Sequence, residues 1–543
     1  MVDIVIINPR FDISFWGMEH CIGLLGKRAN LPVACLALLA ALVPDHHDVT
    51  LIDENVEDID FSRLARADLV CLTGMSIQGR RMREILERVR SFGVMTVVGG
   101  PLATVEEETL DGLADVVFVG EADETWPQFL HDWERGCQKS RYEQPEKTDV
   151  TRLPLPRIDL LKTDRYMFGS MQISRGCPFT CEFCDIIVTF GRRPRLKTSE
   201  QILAELESFR KAGFRIVFVV DDNLIGNKKA IKPILSDIVR WQQERGYPLA
   251  LSTEATLDLA EDEELMQLMG LANFWSVFVG IESPNEASLI ETKKLQNVRP
   301  KAGTLLERVH RIQIHGLEVW CGMIVGFDHD DGAIFDAIPK FIEDARIGNA
   351  LIGLLHAIPT TPLYARLKGS GRLNDDEDSN RYGTNVVPLL MSREELRNGF
   401  VGAMRQAYTL DAYFGRVDAL FIGDGFKFAP QQDEYWRRHR LARARRGAGD
   451  YLKFLAVASR LLISVKDPAL RSRYRRQLWR ILHARGAEPH ILLIYAIKIA
   501  MHYHYAAISK ALGEADRADG VVPDAMRSFS RAERRSAAEA VAS

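Results

Sequence analysis

The sequence predicts an α/β chain in three parts: a doubly wound parallel sheet, a partial barrel of six βα units, and a helical C-terminal region with a basic tail. Three observations predict it. Short, continuous Val/Ile/Leu runs alternate with helical patterns, as parallel strands covered on both faces require. That alternation stops near residue 136 and restarts near 169. Beyond residue 370 the strand-like runs give out and helical periodicity takes over. At 543 residues the chain exceeds one ordinary core. Its 46% apolar and 27% charged residues are those of a soluble globular protein.

In residues 1–135 the strands read as Asp3–Ile7, Val49–Ile52, Leu69–Thr73, Thr96–Val98 and Val116–Val119, with helices near 32–43, 79–92 and 106–113. Ligands of such sheets sit beyond the carboxyl ends of the strands. Those ends carry Asn8-Pro9-Arg10, Asp53-Glu54-Asn55, Gly74-Met75-Ser76, Gly99-Gly100-Pro101 and Gly120-Glu121. Small residues there let a bulky ligand approach the backbone, although glycines end the strands of many doubly wound domains without one. His46 and His47 fall in a polar turn and read as solvated surface. The N-terminus has neither the basic start nor the long apolar run of a signal peptide. Residues 136–168, broken by Pro145, Pro154 and Pro156, read as a linker without a core.

In residues 169–370 the strands read as Ser170–Ser174, Ile216–Val220, Ala250–Ser252, Ser276–Gly280, Glu318–Val325 and Ala350–Leu355, and Ser199 is the expected N-cap of a helix to Ala212. The working face of a barrel is the carboxyl end of its strands. There, just after the first strand, lies Cys177-Pro-Phe-Thr-Cys181-Glu-Phe-Cys184. Three thiolates from one tight loop suit three corners of an iron–sulfur cube and leave the fourth iron without a protein ligand. Zinc normally wants four ligands, and no fourth Cys or His lies nearby at zinc-like spacing. A disulfide framework belongs to small domains in oxidising compartments. Cys21, Cys35, Cys71, Cys137 and Cys321 are scattered and read as reduced core thiols.

Polar residues end the other barrel strands: Asp221-Asp222-Asn223, Glu254, Glu282-Ser283 and His356. An acidic cluster at a barrel mouth needs a cationic partner, or else caps a helix. Either glutamate suits a ribose diol, since a carboxylate accepts two hydroxyl bonds. His356 reads as a core-edge histidine.

Residues 371–543 begin with a helical segment near Ser392–Tyr408 and become basic. Residues 431–500 hold 16 Lys/Arg against 5 Asp/Glu, whereas the whole chain is at −4. Helical stretches at Leu452–Val465, Arg471–Leu482 and Ile491–Leu512 follow; the last is interrupted by Lys498, His502 and His504 and lacks the uncharged run of a spanning helix. Such a tail suits either an anionic membrane surface or a cap packed on the barrel. No nucleic-acid recognition motif accompanies the charge. Roughly the last 30 residues, rich in Ala, Arg, Glu and Ser, are expected to fray.

The cysteine loop with Gln172-Ile173-Ser174-Arg175-Gly176 before it resembles the cluster loop of the radical S-adenosylmethionine superfamily. With it come Gly191–Thr198, Val220–Asn227, Glu254-Ala255-Thr256, Phe278–Pro284 and Gly322-Met323-Ile324-Val325-Gly326 in order. Together they resemble the cobalamin-binding members that include the hopanoid C-methylases, over about residues 1–410. The resemblance implies a flavodoxin-like cobalamin domain, a linker, a radical-SAM partial barrel and the C-terminal region, at 1–135, 136–168, 169–370 and 371–543. It implies a 4Fe-4S cluster on Cys177, Cys181 and Cys184 that chelates S-adenosylmethionine. Asp221, Asp222, Asn223, Glu254, Glu282, Ser283, Gly322, Ile324 and Gly326 would then line the S-adenosylmethionine site. Asp53, Glu54, Asn55, Gly74, Ser76, Gly99, Gly100, Gly120 and Glu121 would contact cobalamin. The chain lacks the Asp-x-His-x-x-Gly motif that ligates cobalt, so no histidine from that motif would sit on the lower face.

The implied activity is methylation of an unactivated carbon of an apolar, hopanoid-like or isoprenoid substrate, with a flavodoxin- or ferredoxin-like electron donor. The alternatives are an oxidative cyclisation or rearrangement, and a non-catalytic membrane-associated binding protein. An oxygen-sensitive cluster with reduced thiols implies the cytoplasm, with peripheral contact at the inner face of the membrane through the basic tail.

Overall fold

The computed structural model describes residues 2–299, 303–374 and 383–517. The expected frayed tail lies almost wholly outside them. A first parallel sheet is built from β1 (Asp3–Asn8), β2 (Asp48–Asp53), β3 (Leu69–Thr73), β4 (Met95–Gly99), β5 (Val116–Val119) and β6 (Arg141–Glu143), in the order β2-β1-β3-β4-β5-β6. The order reverses direction between β1 and β3, which opens a crevice beyond their carboxyl ends. Helices on both faces bury Ile4, Ile6 and Phe118 on one side and Val5, Ile7 and Leu72 on the other.

β6 lies in the segment expected to be a linker. Tyr142 enters the first core, 3% exposed, stacked on Phe118 at 5.2 Å. Alternation is invisible in a three-residue strand flanked by charge, so there is no periodicity to read there. The helix expected at 106–113 begins earlier, at Pro101–Val105, because Pro101 supplies a preset φ at its first turn. A short 3-10 turn follows at Glu107–Leu110.

The second part opens with β7 (Gly169–Met171) and a short antiparallel pair, β8 (Ser174–Arg175) and β9 (Arg195–Leu196). Then come β10 (Ile216–Val219), β11 (Ala250–Ala255), β12 (Phe274–Glu282), β13 (Glu318–Val325) and β14 (Ala350–Leu354). Six of these form a parallel sheet in the order β14-β13-β12-β11-β10-β7, a partial barrel. The helix after β9 runs Ser199–Lys211, and its cap is Thr198, not Ser199. The Thr198 hydroxyl accepts from Gln201 N, and Gln201 Oε1 accepts from Thr198 N in return.

Beyond the barrel the chain is helical: Arg393–Ala407, Leu410–Asp418, Asp433–Arg438, Arg440–Ser464, Pro468–Arg485 and Pro489–Arg517. The last is a core helix. Lys498 pairs with Glu318 at the start of β13, and Asn349 beside β14 donates to Tyr505 at 3.1 Å. Tyr505 stacks on Phe15 at 4.5 Å, so the C-terminal helix also fixes the segment that follows β1. Tyr505 is fully buried. Tyr505→Ala is predicted to cost about 3–5 kcal/mol of stability, read as a lower urea midpoint at unchanged slope.

Candidate active site

The cysteine loop is held from below by the strand beside it. Asp221, just after β10, accepts from Ile173 N (2.7 Å), Ser174 N (2.8 Å) and the Ser174 hydroxyl (2.6 Å). Its oxygens are thus taken up by the chain that carries the loop. Asp222 accepts from Gly176 N at 2.9 Å. Gly176 turns the chain at φ 94°, and a Cβ there would lie 2.8 Å from Gly191 O, so the position admits only glycine. The Asn223 amide donates towards Cys177 Sγ (3.8 Å) and to Thr256 Oγ1 (3.2 Å).

Cys181 is buried and Cys177 and Cys184 are half-buried. Burial raises the Cys177 thiol and pushes Cys184 up to about 12, so a metal must displace their protons to bind. Among the described residues one trio of ligand atoms lies within 4.8 Å of one another, and it is elsewhere, at His46, His47 and Glu134. The three thiols are spread more widely. A single tetrahedral zinc would draw its thiolates to about 3.8 Å of one another at Zn–S of about 2.3 Å, whereas a cube holds them apart. Polar groups converge on the thiols: Gln296 Nε2 lies 3.5 Å from Cys181 Sγ, and buried Gln296 Oε1 and Asn297 Oδ1 have no partner among the described residues. The residues present fit a polar, chelated group at this loop.

Lys294 is buried here too. Burial works against its charge, but Glu282 at 2.8 Å and the neighbouring Cys181 and Cys184 outweigh it and raise its pKa. Glu282 sits at φ 66°, where a bulge displaces β12 against β13. Ser283 is buried, and its hydroxyl accepts from Asn285 N at 3.1 Å.

The strand register sets the barrel wall. Val277, Val279 and Ile281 are fully buried against helices. The alternate positions face the lumen. Glu254, Phe278 and Trp320 stand side by side, as do Gly280, Gly322 and Leu351, and then Ile324 and Gly353. Trp16 meets Phe278 edge-on at 4.9 Å. A Cβ on Gly322 would come 3.1 Å from Phe278 Cζ, so glycine makes room for that ring. Gly326 leaves β13 at φ 108° beneath Leu396. The middle of the wall is therefore largely apolar, with Glu254 beside it; Glu282, paired with Lys294, stands at its carboxyl end and Glu318, paired with Lys498, at its amino end. Burial, with Asp222, Asp221 and Glu282 nearby, pushes Glu254 up to about 8 against the pull of Lys294.

The carboxyl edge of the first sheet faces this loop. Gly100, at φ 96°, lies so close to Thr73 and Gly74 that a Cβ would meet them at 2.6–3.1 Å. Gly99 would meet Phe118 Cβ at 3.3 Å, Gly120 turns at φ 82°, Gly74 is buried and Ser76 is exposed between Met75 and Ile77. The acidic residues at this edge have partners in the chain. Asp53 accepts from Asn8 (3.1 Å), Asn55 (2.7 Å) and Tyr166 (2.7 Å); Glu54 accepts from Arg10 N and Arg81; Asn55 Oδ1 accepts from Phe11 N. No histidine occurs in residues 54–60, 74–78, 99–104 or 120–124. Glycines without bulk and a solvent-facing loop fit a large flat ligand laid on the edge.

The Glu121 carboxylate is taken up within the chain. It is paired with Arg175 and Arg195, both at 2.9 Å, and accepts from Thr148 N; Asp123 joins by pairing with Arg175. These ion pairs tie the first sheet to the two strands that flank the cysteine loop.

Lys294, Gln296 and Asn297 escaped the sequence reading, and Arg175 and Arg195 entered it only as motif residues without a role. Lys294-Leu-Gln296-Asn297 after a helix was the available signal, a polar string too far from any strand end to be noticed. Three readings need correction. His47 is not solvated: it is 8% exposed, with Nε2 2.9 Å from Glu134, because the turn folds back on the helix Thr125–Glu134. His356 is exposed instead of lying at the core edge, and Cys137 is exposed instead of being a core thiol.

This architecture defines a radical-SAM enzyme with a cobalamin-type sheet domain in front of it. Comparison with known proteins agrees. Residues 29–130 match the B12 binding domain, 171–341 the Radical SAM superfamily and 361–517 a domain of unknown function, DUF4070. An uncharacterised methyltransferase of Synechocystis is 39% identical over 77% of this chain and 78% of its own. The hopanoid C-2 methylase of Rhodopseudomonas palustris is 36% identical over 76% and 78%. The cobalamin-dependent S-adenosylmethionine radical enzyme OxsB, solved with aqua-cobalamin and S-adenosylmethionine, shares the fold at a TM-score of 0.60 and 14% identity over 96% of this chain and 80% of that one. The chain belongs to the cobalamin-dependent radical-SAM methyltransferases, in the group that includes the hopanoid C-2 methylase. Its cofactors are a 4Fe-4S cluster, S-adenosylmethionine and cobalamin.

The raised Glu254 gives a pH signature. A carboxyl whose folded pKa lies above its unfolded value holds its proton more tightly when folded. Its stabilisation is full below the unfolded value of about 4.3 and is lost as pH rises through about 8. Glu254→Gln removes the ionisation. The urea midpoint of the variant is predicted to gain on the native protein between pH ~5 and ~8, whereas parallel midpoints would show Glu254 charged in the lumen.

Proposed function

We propose that this enzyme places a methyl group on an unactivated carbon of an apolar polycyclic or isoprenoid lipid of the hopanoid type. The observation that carries the reading is the lumen wall, where Phe278, Trp320, Ile324 and Leu351 surround glycine gaps and a largely protonated Glu254. Such a surface binds hydrocarbon through burial and offers few groups to orient a polar substrate. The 36% identity to a hopanoid methylase supports the same class.

Cys177, Cys181 and Cys184 would hold the cluster. Bound there, the cluster and S-adenosylmethionine supply a hydrogen-abstracting radical, and cobalamin supplies the methyl group. The chain's own part is to bind, orient and exclude water. Asp222, Glu254 and Glu282 line the approach to the thiols; Asp222 suits the cationic groups of S-adenosylmethionine, and Glu254 and Glu282 suit the hydroxyls of its ribose. Lys294 holds Glu282 in its strained conformation and offsets the charge of the thiolates. Phe278 and Trp320 hold the hydrocarbon against the wall. Gly74, Ser76, Gly99, Gly100 and Gly120 would give cobalamin its seat, and the loops that carry them hold no histidine. A flavodoxin- or ferredoxin-like protein supplies the electron, in the reducing cytoplasm.

The test is an anaerobic assay of reconstituted enzyme with trideuteromethyl-labelled S-adenosylmethionine and separated lipid extracts. The labelled methyl is expected in a polycyclic or isoprenoid lipid. Deoxyadenosine release without label in product would overturn methyl transfer in favour of a cyclisation or rearrangement. Label found only in a water-soluble product would overturn the apolar substrate.

A further inference from the structure

The helices Arg440–Ser464 and Pro468–Arg485 form a hairpin whose inner face is buried through Phe454, Val457, Leu461, Tyr474, Leu478 and Ile481. Its outer face is also apolar, which an ordinary surface helix is not. Leu441 is 80% exposed, Leu452 67% and Ile463 79%, and Leu455 is exposed beside them. At 100° per residue these four fall within an arc of about 80°, so they make one stripe along the helix. On the next helix Trp479 is 61% exposed, with Leu482 one turn on. Arg475 and Arg476 stand one turn before Trp479 and make no ion pair among the described residues. The second helix of the hairpin thus exposes an aromatic and two basic side chains of its own.

We infer that this outer face seats on an anionic phospholipid surface, with Leu452, Ile463 and Trp479 entering the headgroup boundary and Arg475 and Arg476 meeting the phosphates. Charge complementarity selects the occupant. A second copy docked by a twofold axis would set this arginine-bearing face against itself, whereas an anionic bilayer satisfies the stripe and the charge together. The membrane element is this hairpin and not the apolar C-terminal helix. That helix, Pro489–Gly513, has the length and mean hydropathy (1.4) to cross a bilayer, but 67% of its most apolar 18-residue window is buried in the protein. The inference goes beyond the methylation reading and uses none of its steps, so either can fail alone.

The experiment is co-sedimentation of the full chain with phosphatidylcholine vesicles and with vesicles containing phosphatidylglycerol. Binding is expected to the anionic vesicles, weakening as salt rises. Arg475→Gln with Arg476→Gln should lower the partition coefficient roughly 25-fold, about fivefold per basic side chain. Leu452→Asp with Ile463→Asp should lower it by at least about tenfold. Both double variants should keep the native thermal midpoint and cobalamin content, and a chain ending at Arg517 should bind like the full one. Four results would overturn the inference: no binding; equal binding to both vesicles; binding that the variants leave intact; or a concentration-dependent dimer in sedimentation velocity that Leu452→Asp with Ile463→Asp abolishes. Binding that appears only in the chain ending at Arg517 would overturn it too, by assigning the face to residues 518–543.

Discussion

The buried ion pairs of Glu121 and Asp123 with Arg175 and Arg195 are the constraint on which the site depends. All four side chains are at most 16% exposed. Arg175 stands two residues before Cys177, and Arg195 lies across the β8–β9 pair from it. The acids come from the loop after β5, at the carboxyl edge of the first sheet. One network therefore sets the cluster loop and the cobalamin edge against each other. Removing one partner would leave a charge buried without its counter-ion, a cost of roughly 3–5 kcal/mol. Such pairs add little stability over an apolar contact, but they fix register, and register is what two cofactors acting on one substrate require.

The same economy runs through the site. Asp221 and Asp222 spend oxygens on the backbone of the loop, Asp53 on Asn8, Asn55 and Tyr166, and Glu54 on Arg81. Acidic residues at strand ends thus serve mainly to hold loops in place. What the loops leave without such a task is the glycine-lined backbone, the thiols, Glu254 and, among the described residues, the side-chain oxygens of Gln296 and Asn297; under the proposed function these join Asp222 and Glu282 in meeting ligands. The C-terminal helices complete the arrangement: Tyr505 and Phe15 steady the segment whose Trp16 reaches Phe278 in the lumen.

Much of this was legible in the sequence because it is periodic or locally spaced. Strands β1–β5 and the barrel strands announce themselves by apolar runs, and the three cysteines by their spacing. β6 was not legible, since three residues carry no period. The domain-bridging pairs of Glu121 were not legible because position at a strand end marks ligand residues and domain-bridging residues alike, and its partners Arg175 and Arg195 lie 54 and 74 positions away. His47 was misjudged because a polar turn gives no sign that it will fold onto a helix. The stripe at Leu441, Leu452 and Ile463 reads as helix in sequence, but which face of a helix stays uncovered is settled only by packing.

The most direct measurement is hydrogen–deuterium exchange on a Glu121→Gln, Asp123→Asn double variant. If the ion network holds the cluster loop to the first sheet, amide exchange will quicken in residues 173–177 and 195–197, with the barrel strands β11–β13 unchanged and iron retention lowered after anaerobic reconstitution. Unaltered exchange at those amides, with full iron retention, would contradict the account.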